Sequence, residues 1–223
     1  MTGFIIKIIA CLTMILDHIK YAIPITDNYF TQYLGRISFP LFAFLITEGY
    51  VHTSNLKKYY KRLIIFALIS QIPFMLFRTL VGKWQMLNIM FTLLLGLTAI
   101  LIYDKWKNKF ISCLAVILII YSGKILSVDY GWWGVAIIFV IYLFRDKKIL
   151  LTISYIVLTI VYYYLIFGNV LLKIRNMFYL IYTIVPIIFI LLYNGKQGRK
   201  IKYFFYAFYP VHMIVLYIIN YLI

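Results

Sequence analysis

The chain has 223 residues, 65% of them hydrophobic and only 13% charged, with a formal net charge of +16. A mean hydropathy of +0.97 is far above that of a soluble domain and assigns the chain to a lipid bilayer. The two cysteines are too few for a disulfide framework and stand alone inside apolar runs, so they read as packing residues and not as metal ligands.

Apolar runs of about 18 or more residues read as membrane spans, because the hydrocarbon core is roughly 30 Å thick. The pattern predicts helices over 4–23, 33–51, 62–80, 86–103, 110–126, 131–145, 149–167, 177–193 and 204–222. The expected fold is all-α: one polytopic membrane helical bundle over 1–223, of nine or ten transmembrane helices. Connections are short and leave no room for an inserted soluble domain. The stretch "SGKILSVDYGWWG" reads as a loop or as a segment dipping into the bilayer. The start, "MTGFIIKII", leads directly into the first span with no small-residue cleavage site after it, so an uncleaved span is expected.

The basic residues are not distributed as a nucleic-acid surface would have them. Lys7 precedes mid-span one, and Lys57, Lys58, Lys61 and Arg62 follow span two. Lys105, Lys107 and Lys109 follow span four; Arg145, Lys147 and Lys148 follow span six; Lys196, Arg199, Lys200 and Lys202 follow span eight. That places fifteen of the 22 basic residues on one side, and leaves Lys20, Arg36, Arg78, Lys83, Lys124, Lys173 and Arg175 on the other. This is the positive-inside pattern. It predicts a cytoplasmic N-terminus in the cell membrane, contact with anionic lipid and no nucleic-acid partner.

Charged side chains inside a span cost about 2.5–3.5 kcal/mol each on insertion scales, so each raises a functional hypothesis. In "LTMILDHIKYAI", Asp17 lies 13 residues after Phe4, roughly 20 Å along the helix. His18 is one step further, and Arg36 and Asp129 are expected at a similar depth. Neighbours on a helix point about 100° apart, so Asp17 cannot orient His18. The simplest assignment pairs Asp17 with Arg36 and leaves Asp129 to orient His18. Glu48 and His52, four apart, share a helix face and are placed with His212 toward the cytoplasmic side. Pro210 loosens the helix before His212 and often marks a cavity in such helices. Gln71, Asn88 and Thr92 read as interhelical hydrogen bonds. Trp132 and Trp133 read as interfacial anchors, and most Tyr and Phe as lipid-facing or packing residues.

The text "IKIIACLTMILDHIKYAI" resembles the start of the TraX family, named for the conjugation protein that acetylates the N-terminus of F-pilin. The resemblance continues through "LGRISFPLFAFLITEGYVHTSNLKKYYKRLIIFALISQIPF", "LNIMFTLLLGL", "DYGWWGVAIIF" and "FYPVHMIVLYII", the last containing Tyr209 and His212. The family is similar in turn to broader membrane acyltransferases, among them enzymes that O-acetylate surface sugars. These place a His late in span one, where His18 stands, and usually have ten spans.

The resemblance implies acyl transfer from cytoplasmic acetyl-CoA to a peptide or glycan acceptor, with no metal. It implies His18 as general base on an acceptor amine or hydroxyl. An imidazole with an ordinary pKa of about 6.5 suits that task near neutrality. Asp17, Arg36 and Asp129 complete the expected catalytic set, with Arg36 either holding Asp17 or steadying the oxyanion. Lys57, Lys58, Lys61 and Arg62 would hold the CoA phosphates, although positive-inside charge alone also places them there. Glu48, His52, Tyr209 and His212 are supporting candidates. Direct transfer and an acyl-histidine intermediate both stay open. A small-solute transporter would also bury Asp, Arg and His along its path, but would favour inverted repeats that are not visible here. A non-enzymatic membrane assembly factor is the other alternative, and would not need the buried Asp17–His18 pair.

Overall fold

The computed structural model describes residues 1–23, 29–82, 86–199 and 202–223, with Lys202 and Tyr203 described by backbone alone. Lys83 and Lys200, both part of the charge pattern above, lie outside the described residues. Helices occupy every stretch that hydropathy marked: α1 (Gly3–Ala22), α2 (Phe30–Gly35), α3 (Ser38–His52), α4 (Leu56–Thr79), α5 (Ile89–Lys105), α6 (Lys109–Ile125), α7 (Gly131–Phe144), α8 (Lys148–Phe167), α9 (Ile174–Ile184), α10 (Pro186–Leu191) and α11 (Lys202–Leu222). No strand is present among the described residues; a lone bridge joins Leu87 to Val128.

Two stretches expected as single helices are each divided. Between α2 and α3 the backbone tightens, with Arg36 N–H bonding Tyr33 and Ile37 N–H bonding Leu34. Pro40 follows, and it has no N–H for the Arg36 carbonyl. The α9–α10 break falls at Val185, directly before Pro186, which cannot donate to the carbonyl of Tyr182 for the same reason. Taken across these breaks, five segments among the described residues are long and apolar enough to cross a membrane: Phe30–His52, Leu56–Thr79, Lys148–Val170, Ile174–Leu191 and Phe204–Leu222.

Helix α1 packs on α2, α3 and α11, while α7 packs on α3, α5, α6 and α8. Helices α1 and α11 run parallel. Phe4 meets Phe205 edge-on, His18 meets His212, and Asn220 Nδ2 donates to the Ala22 carbonyl at 2.9 Å. The α10–α11 connection is tied to the same end of the bundle as Met1. The Met1 amino group donates to the Leu192 carbonyl at 2.7 Å, and Gly3 N–H to the Lys196 carbonyl at 2.9 Å.

Trp133 corrects the expectation of an interfacial anchor. It is fully buried on α7 and stacks on Tyr162, with ring centroids 5.0 Å apart. Residues Trp133 to Ile138 are all buried, so α7 is enclosed by neighbouring helices around most of its circumference. The expected polar ties between helices are present. Asn88 Nδ2 donates to the Ala67 carbonyl at 2.7 Å and to Gln71 Oε1 at 2.9 Å, joining α4 to the start of α5.

Candidate functional site

Asp17 sits in the last third of α1, where α2 ends against it. A Cβ on Gly35 would collide with the Asp17 side chain, so only glycine lets the two helices approach this closely. The following residue, Arg36, then brings Nη2 within 3.5 Å of Asp17 Oδ1. The "GR" pair thus works as a unit, with the glycine giving the approach and the arginine the counter-charge. Gly35→Ala is expected to destabilise the protein by about 1–3 kcal/mol through overpacking. Thermal melting in detergent, compared with Gly3→Ala, where the added Cβ meets only ordinary van der Waals contacts, measures it.

His18 is oriented by another histidine, not by Asp129. His18 Nδ1 lies 2.8 Å from His212 Nε2, and His212 Nδ1 lies 2.9 Å from the Phe208 carbonyl oxygen. A carbonyl only accepts, so His212 Nδ1 carries a proton there. In the neutral ring its Nε2 is then an acceptor, and His18 Nδ1–H donates to it. The consequence is a fixed tautomer for His18, with the lone pair on Nε2. The expected placement of His212 near the cytoplasmic side is corrected with it: parallel packing of α1 and α11 brings it to the level of His18. His212 stacks on Phe208 with centroids 5.0 Å apart, and the two imidazole planes lie within 18° of each other with centroids 5.1 Å apart.

Asp129 is set by its main chain. Its N–H bonds the Leu87 carbonyl, and its carbonyl accepts from the Thr92 hydroxyl. Tyr130 and Gly131 follow with φ of 62° and 52°. The left-handed turn starts α7 at once, and stacks Tyr130 on Phe39 with centroids 4.2 Å apart. The stretch 122–134, expected as a loop or a segment dipping into the bilayer, is mostly helix, and only 126–130 forms the turn, which pins Asp129 to α5.

Asp17, His18, Arg36 and Asp129 all line one cavity of 460 Å³, here the distal cavity, together with Arg78, Lys124, Tyr21, Phe77, Trp132 and Tyr162. Asp17, His18, Asp129 and Tyr130 also line a narrow space of 60 Å³, the neck, whose other walls, Ser38 and Tyr209 apart, are apolar, among them Met14, Phe39, Phe42, Met90 and Leu93. Tyr209 is buried and lines the neck as well. Phe42, Met90, Leu93 and Phe205 are in turn shared with a third cavity of 340 Å³, the proximal cavity, near Met1. The three spaces follow one another through the bundle, and His18 stands on the wall common to the neck and the distal cavity.

The proximal cavity is basic. Lys7, Arg62 and Arg199 line it, with Glu48 and His52. Of the four basic residues expected to act together, only Arg62 faces it; Lys57, Lys58 and Lys61 are exposed on the outer turns of α4. Lys7 and Arg199 take their place. Sequence reading missed both, since their meeting depends on the 192–198 connection being tied to Met1 and Gly3. Glu48 and His52 pair at 3.4 Å. Tyr193 hydrogen-bonds Glu48, and burial together with that carboxylate raises the tyrosine's pKa above its usual value, which keeps it a neutral donor.

No solved structure matches the chain. A protein named "Probable fimbrial assembly protein FimC, serogroup H1", from Dichelobacter nodosus, is 28% identical over 167 residues, covering 69% of this chain and 67% of that protein. The family model described as TraX protein matches residues 2–220, which include the Asp17–His18 pair, the Gly35–Arg36 pair, Asp129 and His212. With that match over nearly its whole length, this apolar, helical membrane chain belongs to the TraX family.

Proposed function

We propose that the protein is a membrane-embedded acyltransferase that moves an acyl group from cytoplasmic acyl-CoA, acetyl-CoA in the simplest case, to an acceptor amine or hydroxyl at the outer side of the cell membrane. The observation that carries this reading is the position of His18: its free Nε2 lone pair stands where an apolar neck meets a polar cavity, with a basic cavity at the neck's other end. CoA phosphates suit the cations Lys7, Arg62 and Arg199. The thioester would reach the neck, and the acceptor the distal cavity. His18 Nε2 takes the acceptor's proton as the acceptor attacks, and the proton then leaves with the CoA sulfur. Arg36 either fixes Asp17 or faces the oxyanion.

The orientation follows from the charge pattern, with the proximal cavity and Met1 at the cytoplasmic face. This reading takes α2–α3 and α9–α10 as one crossing each and every other described helix as one, nine in all, an odd number that suits parallel α1 and α11. A pilus-assembly role without catalysis is a second reading, favoured by the name of the Dichelobacter relative.

One experiment separates the two. Purified protein in lipid nanodiscs is given acetyl-CoA, and free CoA is followed for wild type and His18→Ala. Slow release by wild type, lost in a folded His18→Ala protein, is the expected result; the lost step is worth on the order of 10²-fold or more. Acetyl-CoA that is neither cleaved nor able to shift the melting temperature would favour the assembly role.

A further inference from the structure

Tyr209 is 3% exposed, and its hydroxyl has no hydrogen-bond partner. Buried polar groups are paired in the great majority of cases, so an unpaired one calls for a reason. Among the described residues Ser70 and Trp133 also carry a neutral buried group without a partner, and neither lines the neck, the distal cavity or the proximal cavity. Tyr209 lines the neck. The hydroxyl end of its ring is the end that meets this space: Ile89 N–H, Asp129 and Tyr130 act on it, and all three residues line the neck too. Ile89 N–H, at the start of α5, faces the oxygen as a donor, and no hydrogen bond joins the hydroxyl to Asp129. Arg78 acts on the same Asp129 carboxyl and offsets its charge. The phenolic proton is therefore uncommitted. Tyr209 and His212 are three apart on α11 and share a face, with ring centroids 5.8 Å apart. One turn of α11 thus fixes the tautomer of His18 and presents a free O–H donor to the neck that His18 also lines.

We propose that Tyr209 is a catalytic residue whose hydroxyl donates a hydrogen bond to the thioester carbonyl oxygen in the neck and to the oxyanion formed from it. The inference rests on the acyl-transfer reading and adds a group to its chemistry. The acceptor forms a bond to the thioester carbon, its proton passes to His18 Nε2, and the carbonyl electron pair moves onto the oxygen. The Tyr209 O–H holds that oxygen without giving up its proton. The pair then returns, the C–S bond breaks, and the departing sulfur takes the proton from His18 Nε2, leaving an acylated acceptor and CoA as the free thiol. A donor already aimed at the developing charge, in a space closed to water, needs no reorganisation at the moment of reaction. The hydroxyl is unpaired for the same reason: an internal acceptor would have to be broken from it first. Arg36 lines the distal cavity and not the neck, so Tyr209 acts from the opposite side and independently of the role of Arg36.

The test uses full-length protein in lipid nanodiscs and compares wild type with Tyr209→Phe, which removes only the oxygen. The kcat for CoA release from acetyl-CoA is expected to fall on the order of 10²–10³-fold, with the KM for acetyl-CoA held within about twofold. The melting temperature is expected not to fall, because the hydroxyl that leaves was unpaired. A residue that only packs would lose rate and melting temperature together, or neither. A second measurement reads the hydrogen bond without turnover. A CoA analogue with a methylene in place of the sulfur, a ketone isotopically labelled at its carbonyl, is bound to each protein, and its C=O stretch is recorded by infrared difference spectroscopy. The stretch is expected at lower frequency in wild type than in Tyr209→Phe, since a donated hydrogen bond weakens the C=O bond. Equal kcat in the two proteins, or a slow variant in which the stretch is unchanged, overturns the inference and leaves acyl transfer standing. A stretch that depends on Tyr209, in a protein that never cleaves acetyl-CoA, keeps the carbonyl contact and overturns acyl transfer. Neither cleavage nor a stretch difference overturns both.

Discussion

Replacing His212 with leucine is expected to lower the rate of CoA release by on the order of 10²-fold or more, close to the loss in His18→Ala. The reason is the proton arrangement and not the space that His212 fills. The Phe208 carbonyl fixes a proton on His212 Nδ1, so His212 Nε2 accepts from His18 Nδ1 and leaves the His18 lone pair on Nε2. Without that acceptor His18 can take the other tautomer, with its proton on the nitrogen that should receive one. Two further variants distinguish orientation from packing. His212→Phe keeps an aromatic ring beside Phe208 and removes the acceptor, so it is expected to be as slow as leucine. His212→Gln offers a side-chain oxygen at the reach of Nε2 and is expected to recover part of the rate. Equal activity in His212→Phe and wild type would show that the residue only packs. A pH–rate profile adds a second readout: the limb that reports the base is expected to shift in His212→Gln and to stay in place for a packing defect.

Much of this was legible in the sequence, for stated physical reasons. Helix positions follow from hydropathy, since a bilayer demands apolar length. The pairing of Asp17 with Arg36 follows from depth, because two opposite charges at one level of a membrane seek each other. The partner of His18 did not follow. His212 is 194 residues away, and its depth depends on where α11 enters the bundle, which no local pattern records. The same holds for Lys7 and Arg199, which share a cavity because backbone bonds tie the 192–198 connection to Met1 and Gly3. Trp133 misled because paired tryptophans near a helix start resemble a membrane-interface belt, whereas α7 is enclosed by its neighbours. Gly35 could have been found: a glycine directly before an arginine that must reach a buried acid is a sign of close helix approach.

The Asp17–Arg36 pair gives the second large effect. Arg36→Met leaves the Asp17 carboxylate in the bundle without its cation, and breaking such a pair from one side costs about 3–5 kcal/mol, or a fall in melting temperature on the order of 10 °C. The side chains are 17% and 25% exposed, through the distal cavity, so the lower part of that range is expected. Asp17→Asn combined with Arg36→Gln removes both charges at nearly constant volume and is expected to recover most of the loss. The double variant also separates the two roles open to Arg36. If the guanidinium serves only to hold Asp17, and so the angle of α1 against α2, the neutral pair packs as before and CoA release persists. If it faces the oxyanion, the double variant melts like wild type and is still slow, by roughly 10²–10³-fold. Stability and turnover, measured on the same three preparations, therefore assign the arginine: recovery of both means packing, and recovery of stability alone means it acts on the reacting carbonyl.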